Sequence, residues 1–128
     1  MTPQPPAPSN AELEILQILW KRGSSTVREV HDELLEERET GYTTVLKTMQ
    51  VMAEKRLVTR DESERSHVYA PAVEEQSVKR RMVSDLLDRA FDGSAANLVM
   101  HALSENFASK EDLKEIRELL DKQARRTR

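Results

Sequence analysis

Residues 41–70, GYTTVLKTMQVMAEKRLVTRDESERSHVYA, decide the fold of this 128-residue chain. The first part, 42–55, predicts a helix with one apolar face and one short polar face. Two short segments rich in β-branched and aromatic residues follow, 57–60 and 67–70, and they predict a pair of strands joined by a charged turn. A helix that runs directly into such a hairpin is the order of elements in the second half of a winged helix-turn-helix.

Two more helices are predicted before this stretch, and each has its own start signal. Ser9 and Thr26 are each followed three residues later by glutamate. This is the spacing of a capping box, in which two side chains bond each other's backbone N–H groups. Gly23 is suited to end the first helix. Residues 10–72 are therefore predicted to be a mostly α winged-helix DNA-binding domain with a small β-wing.

The polar face of the third helix carries the candidate base-reading groups. With Thr43 as the expected cap and 100° per residue, Thr43, Lys47 and Gln50 fall on one face, opposite the apolar positions. A hydroxyl, an amine and an amide are the group types that read base edges in a major groove. The alternative is an ordinary surface helix with solvated side chains, and the neighbouring helices and hairpin favour the DNA interpretation.

The overall charge weighs against DNA binding, because most DNA-binding domains are basic and this chain has a net charge of −3. The segment 41–60 is the exception, with four cations against one carboxylate. At the start of the second helix, Thr26 and Arg28 are candidate phosphate contacts, although Thr26 also serves as a cap. Arg65, in the turn of the hairpin, is either a wing-tip phosphate contact or a solvated residue.

The residue types exclude several other classes of function. The chain has no cysteine, which rules out disulfides and thiolate metal sites, and its three glycines do not form a glycine-rich phosphate loop. The histidines, His31, His67 and His101, lack metal-ligand spacing. His31 lies on an apolar stripe and is expected to be a satisfied core histidine. We therefore predict no enzyme activity, no metal and no cofactor.

Residues 1–9 contain four prolines and predict a disordered tail. A basic start and an apolar run are both missing, so a signal peptide is not expected. No apolar run in the sequence approaches the roughly 20 residues that cross a bilayer. We expect no membrane insertion and a cytoplasmic location.

Residues 73–128 are predicted to form a helical dimerisation domain. Three amphipathic helices are expected there, with Ser94 and Ser109 as the caps of the last two. Their apolar stripes are too thin for a core of their own, so packing against a second copy of the chain is the economical arrangement. The predicted interface residues are Leu98, Val99, Ala102, Leu103, Leu113, Ile116 and Leu120.

Residues 10–122 resemble the penicillinase repressors, the BlaI/MecI group with its copper-responsive relatives. The stretches that carry the resemblance include STVREVHDEL, GYTTVLKTMQVMAEKRLV, HVYAPAV and FDGSAANLVMHALSENF. It implies a homodimer that binds double-stranded DNA at an inverted-repeat operator and blocks transcription. By resemblance, the base-reading residues are Thr43, Thr44, Lys47 and Gln50, and the supporting or backbone contacts are Thr26, Arg28, Tyr42, Thr48 and the wing with Arg65.

Three departures from the family pattern bear on regulation. Family members are released from DNA when a membrane sensor protease triggers cleavage of an Asn-Phe bond in the fifth helix, and here the register of that helix puts His101-Ala102 at the cleavage position. An Asn106-Phe107 pair lies five residues later. The cysteine cluster of the copper-sensing members is absent, and Val51 stands where many relatives have a basic residue.

Two classes of function remain open at this point. One is a sequence-specific repressor, and the other is a winged helix that binds a protein partner through its acidic surface without an operator. The polar face with Thr43, Lys47 and Gln50 suits base edges better than a protein groove, and it favours the repressor.

Overall fold

The computed structural model describes residues 4–105 and 107–127. It is mostly helical, with one small sheet. The elements in chain order are α1 (Asn10–Arg22), β1 (Ser25–Thr26), α2 (Val27–Leu35), α3 (Tyr42–Glu54), β2 (Val58–Asp61), β3 (Val68–Pro71), α4 (Glu75–Ala90), α5 (Ala95–Ser104) and α6 (Lys110–Arg126). The chain divides into two compact units, Met1–Met82 and Val83–Arg128, with the boundary inside α4.

The predicted capping boxes form at the starts of α1 and α2. The Glu12 backbone N–H donates to the Ser9 hydroxyl at 3.2 Å, and the Ser9 backbone N–H donates to the Glu12 carboxylate at 2.8 Å. Thr26 and Glu29 make the same reciprocal pair at 3.2 and 2.9 Å. Gly23, with φ 90°, ends α1 as predicted.

The predicted cap of α3 is wrong. The helix begins at Tyr42, its N-cap is Gly41 in an extended conformation, and no side chain caps it. Thr43 therefore lies inside the first turn, where its hydroxyl is exposed. The helix forms without a side-chain cap because Val45, Met49 and Met52 fall on one face and are buried, and tertiary packing outweighs local start signals.

One hydrophobic core holds the three helices and the sheet of the first unit together. Trp20 packs against its edge, and the Trp20 indole N–H donates to the Val73 carbonyl at 3.1 Å. This contact ties α1 to the chain that leaves the sheet. The core residues are Ile15, Leu16, Leu19, Val27, Val30, Leu34, Val45, Met49, Met52, Leu57, Val58 and Tyr69.

The sheet has three antiparallel strands in the order β1-β3-β2. The two wing strands were predicted, and each lies one residue further along the chain than expected. The strand β1 was missed, because two residues are too short to show a periodic pattern. It pairs Ser25 with Tyr69. The strand β1 ends directly before the start of α2.

A tight turn joins α3 to β2. The Leu57 N–H donates to the Met52 carbonyl at 2.9 Å and the Arg56 N–H donates to the Ala53 carbonyl at 3.1 Å. This is the Schellman pattern, which needs a left-handed residue that is usually glycine. Here Arg56 takes that place with φ 65°.

The second unit contains the predicted α5 and α6. Ser94 caps α5 and Ser109 caps α6, as expected. Neither helix has a fully buried residue among those described, so most of their apolar side chains are exposed in the single chain. None of the described helices is both long enough and apolar enough to cross a membrane.

The N-terminal tail and the domain boundary stay predictions. Residues 4–9 contain no helix or strand, and residues 1–3 lie outside the described part. The Pro5 carbonyl accepts a hydrogen bond from the Arg81 guanidinium at 2.6 Å, so this part of the tail contacts the first turns of α4.

Candidate nucleic-acid interface

The outward face of α3 presents the side chains that the sequence singled out. Thr43, Thr44, Lys47 and Gln50 are all exposed, opposite the buried methionines of the core. Thr48 is half-buried, and its hydroxyl donates to the Thr44 carbonyl at 2.9 Å. Thr48 is therefore occupied inside the helix, while the other four side chains project into solvent. Their roles in DNA binding stay predictions.

An open depression of about 380 Å³ separates the start of α3 from the start of α1. Thr43, Thr44 and Lys47 line one side of it, and Ser9 and Ala11 line the other. The first turn of α1 therefore lies beside the outward face of α3. Gln50 does not line this depression and lies further along the helix.

Arg28 and Tyr42 form a stacked pair between two helix starts. The Arg28 guanidinium carbon lies 4.4 Å from the centroid of the Tyr42 ring, within the range of a cation–π contact. Arg28 belongs to the first turn of α2, and Tyr42 is the first residue of α3. Sequence reasoning named both residues separately, and the structure brings them together.

His31 is a satisfied, buried histidine, as predicted. The residue is 8% exposed. Its ring nitrogens lie 3.1 Å from the Asp32 carboxylate and 3.1 Å from the Thr40 carbonyl. The His31 ring also meets the Tyr42 ring edge-on, at 6.0 Å between centroids. It therefore fixes the turn before α3 to α2.

Thr26 is the N-cap of α2, and its hydroxyl already bonds Glu29. It accepts from the Glu29 N–H and donates to the Glu29 carboxylate, both at 3.2 Å. The hydrogen bond from the Thr26 backbone N–H is the main cause that holds the pKa of Glu29 below its ordinary value, opposed by slight burial. A phosphate at this helix start would therefore meet a carboxylate that is ionised at neutral pH.

The positive charge of segment 41–60 is smaller in the structure than in the sequence. The Lys55 amine lies 2.8 Å from the Glu12 carboxylate, and the Arg60 guanidinium lies 2.6 Å from the Glu62 carboxylate. Of the four cations in this segment, only Lys47 and Arg56 lack an ion pair within the described residues. The sequence showed no sign of the pair between residues 12 and 55.

Glu12 is a charged group almost without solvent contact. Glu12 is 3% exposed, and its carboxylate accepts hydrogen bonds from the Lys55 amine and the Ser9 backbone. Burial acts to raise the pKa of Glu12, but the hydrogen bonds from Lys55 and Ser9 outweigh it, and the pKa lies below its ordinary value. The pair joins the first turn of α1 to the C-cap residue of α3.

The wing turn between β2 and β3 is acidic and carries Arg65 at its exposed end. Asp61 accepts a hydrogen bond from the Ser63 N–H at 2.9 Å, and this bond is the main cause that lowers the pKa of Asp61. Arg65 is the cation left at the tip, with Glu64 directly before it in the chain. Its role as a phosphate contact stays a prediction.

The predicted interface residues of the second unit are mostly exposed in the single chain. Val99, Leu103, Leu113 and Leu120 are between 37% and 61% exposed. Ala102 is also exposed, and Leu98 and Ile116 are half-buried. Their role in dimer formation stays a prediction.

His101 lies on the exposed side of α5. Its Nδ1 lies 3.0 Å from the Asn97 carbonyl, and its ring meets Phe91 edge-on at 5.5 Å. The bond between His101 and Ala102 is therefore inside a regular helix. The Asn106-Phe107 pair was not expected to be the cleavage site, and Asn106 lies outside the described residues.

Comparison with known proteins decides the family. The sequence model of the family described as penicillinase repressor matches residues 8–122. The chain belongs to the penicillinase repressor family. A transcriptional regulator, BlaI of Mycobacterium tuberculosis, is 33% identical over 103 residues, which cover 79% of this chain and 75% of that protein. A penicillinase repressor of Staphylococcus aureus is 28% identical and covers 88% of this chain and 87% of its own.

Solved structures of the family match the winged helix. The solution structure of the DNA-binding domain of the repressor BlaI has a TM-score of 0.51 and 27% identity, and the match covers 58% of this chain and 90% of that domain. Monomeric BlaI of Bacillus licheniformis, solved in complex with the blaP half-operator, has a TM-score of 0.50 and 27% identity. That match covers 57% of this chain and 89% of the other. The predicted fold class and family are confirmed.

These relatives are named as regulators and repressors, which agrees with the expectation that the chain is not an enzyme. Within residues 4–105 and 107–127, no group of three or more His, Asp or Glu side chains could hold a metal ion. The described part of this repressor-family chain thus offers the outward face of α3 as its candidate site.

Proposed function

We propose that this chain is a DNA-binding transcriptional repressor that acts as a homodimer on an inverted-repeat operator. The observation that carries the proposal is the exposed polar face of α3 in a winged helix of the penicillinase repressor family. A relative with the same winged helix was solved on a half-operator. In helix-turn-helix proteins the second helix of the motif enters the major groove. In this chain that second helix is α3.

The base-reading assignment follows from the chemistry of the exposed side chains. The Lys47 amine suits the O6 and N7 acceptors of guanine, the Gln50 amide suits adenine, and the methyl groups of Thr43 and Thr44 suit thymine. We assign backbone contacts to Thr26, Arg28, Tyr42, Thr48 and Arg65. Thr48 acts through the shape of the helix surface, because its hydroxyl is bonded within α3.

A second copy of the chain is the partner we assign to the exposed apolar side chains of α5 and α6. Leu113 and Leu120 lie on the same side of α6, seven residues apart, and both are more than 45% exposed. Exposed apolar surface of this kind marks an association site. A two-fold dimer would bring two α3 helices to half-sites one helical turn, or a multiple of it, apart.

A membrane sensor protease is a further partner that family resemblance implies. The position expected for cleavage joins His101 to Ala102 inside α5. A protease needs an extended substrate, so local unwinding of α5 must precede any cut there. Mass spectrometry of the protein after induction in its own host would show fragments that end at this bond, and an intact chain would remove the protease from the proposal.

A protein-binding winged helix is the alternative function. It is favoured by the acidic character of α2 and the turn after it, where Glu33, Glu36 and Glu37 line an open groove with α1. This surface would take a basic protein partner and would not discriminate among DNA sequences.

Fluorescence anisotropy with DNA from upstream of the chain's own gene separates the two functions. The repressor proposal expects binding that survives unspecific competitor DNA. Lys47→Ala should weaken it by about 1–3 kcal/mol, roughly 5- to 150-fold. The matched control is Lys79→Ala, an exposed lysine of α4 that pairs with Glu75, and it should bind like wild type. Equal binding to every sequence would overturn the repressor proposal.

A further inference from the structure

The stacking of Arg28 on Tyr42 leaves the guanidinium N–H groups of Arg28 available for a ligand. Arg28 is exposed, and it has no ion pair among the residues that the structure describes. Its guanidinium carbon lies 4.4 Å from the Tyr42 ring centroid, so the guanidinium stacks on the aromatic ring. A cation held on a ring in this way keeps its N–H groups available for another ligand.

The Tyr42 ring is itself held from behind. The buried His31 ring meets it edge-on at 6.0 Å and an interplanar angle of 69°. One nitrogen of His31 lies 3.1 Å from the carbonyl of Thr40, two residues before α3. Tyr42 is the first residue of α3, so its ring belongs to the helix assigned to the groove. We call this arrangement of His31, Tyr42 and Arg28 the aromatic platform.

We propose that Tyr42 is a positioning residue that holds the Arg28 guanidinium ready to grip a DNA phosphate. The proposal rests on the DNA-binding function given above and deepens it. An arginine side chain carries considerable rotamer entropy, and a planar fork already stacked on a ring loses less of it per hydrogen bond formed. The same fork can bind a phosphate through two parallel N–H···O bonds.

The location of the platform adds a second consequence. Arg28 lies in the first turn of α2, where the capping box already uses the backbone N–H groups of Thr26 and Glu29, so a phosphate bound there depends on the Arg28 guanidinium. Tyr42 belongs to α3, the helix assigned to the groove. A phosphate bound by Arg28 would therefore fix the position of α3 through direct contact between the two side chains. The contact of Arg28 with the DNA backbone and the depth of α3 in the major groove would therefore depend on each other.

A double-mutant cycle on the operator tests the coupling. Arg28→Ala should weaken binding by roughly tenfold or more, because tenfold is the lower value for one charge-assisted hydrogen bond and the guanidinium fork can make two. Tyr42→Leu, which keeps an apolar side chain but removes the ring, should weaken it by a similar factor. The double variant should bind about as well as Arg28→Ala alone. A loss equal to the product of the two single losses would mean independent contacts and would overturn the platform.

The salt dependence gives a readout that a merely structural role would not move. Arg28→Ala should lower the slope of log K against log salt by about one, because one phosphate contact is lost. Tyr42→Leu removes no charge, yet it should lower the slope as well, since the guanidinium is no longer held. Tyr42→Phe keeps the ring and should keep the wild-type slope, so any change in its affinity reports on the Tyr42 hydroxyl alone. An unchanged slope in Tyr42→Leu would contradict the proposal.

Two outcomes separate this inference from the proposed function. Wild-type protein that binds its operator, combined with an additive cycle, would overturn the platform and leave the repressor function intact. Wild-type protein without sequence preference would overturn both. Should Tyr42→Leu not fold, NMR of the wild-type protein without DNA supplies the test. The side-chain protons of Arg28 should show an upfield ring-current shift, and random-coil positions would overturn the stack.

Discussion

Replacing Lys55 by methionine removes the amine that holds the buried Glu12 carboxylate. The carboxylate would keep its hydrogen bond from the Ser9 backbone and lose the one from Lys55, now 2.8 Å long. A hydrogen bond to a charged group contributes about 1.5–3 kcal/mol. The Lys55 side chain is 39% exposed, so solvent screens the pair and we expect a cost of about 1–2 kcal/mol. For a domain of this size that lowers Tm by roughly 5–15 °C.

The cost should depend on pH in a defined direction. The pKa of Glu12 lies below its ordinary value, because the hydrogen bonds from Lys55 and Ser9 outweigh the effect of burial. A carboxyl with a lowered folded-state pKa adds stability above its unfolded pKa, about 4.3, and loses it as pH falls through the folded pKa. Lys55→Met should therefore be most destabilising at neutral pH, and the difference from wild type should shrink below about pH 4.

Urea unfolding followed by Trp20 fluorescence measures this directly. Trp20 is the single tryptophan and is half-buried in the winged-helix unit, so it reports on the unit that contains the pair. Lys79→Met is the control, because its partner Glu75 is exposed, and it should stay within about 0.5 kcal/mol of wild type. A Lys55→Met protein as stable as wild type at pH 7, or equally destabilised at pH 7 and pH 3.5, would refute the reasoning.

Two further predictions concern the turn after α3 and the association of the second unit. Arg56→Gly should raise the free energy of unfolding by up to about 1 kcal/mol, because glycine takes the left-handed conformation at φ 65° without strain. The greater conformational entropy that glycine gives the unfolded chain offsets only part of this gain. A lower urea midpoint would contradict the prediction. Leu120→Glu should turn the proposed dimer into a monomer in light scattering, because it places a charge in the proposed interface. Lys114→Glu also adds negative charge to α6 but lies outside the predicted interface residues, and it should keep the mass of wild type. An unchanged mass for Leu120→Glu would remove this part of α6 from the interface.

The parts of the fold that depend on short-range signals could be predicted from the sequence. The capping boxes at Ser9, Thr26 and Ser109 involve residues three apart, and all three form. The cap of α3 was wrong because Thr43 has the right residue type but lies inside the first turn, after Gly41. The two-residue β1 leaves no periodic pattern to read.

The pairs that shape the candidate site could not be predicted in the same way. Glu12 and Lys55 are separated by 43 residues, and their contact depends on how α1 packs against α3. Arg28 and Tyr42 meet only because the turn between α2 and α3 brings the two helix starts together. Individual residue types indicated DNA binding, but the partner of each charge follows from tertiary packing.

Nuclease protection on the DNA upstream of the chain's own gene tests the central claim most directly. A dimeric repressor should protect two half-sites related by inversion, with centres about one helical turn or a multiple of it apart. At the lowest concentration at which wild-type protein protects both half-sites, Lys47→Ala protein should protect neither. Protection without sequence preference, or of a single half-site at saturating protein, would contradict a dimeric repressor that reads its operator with α3.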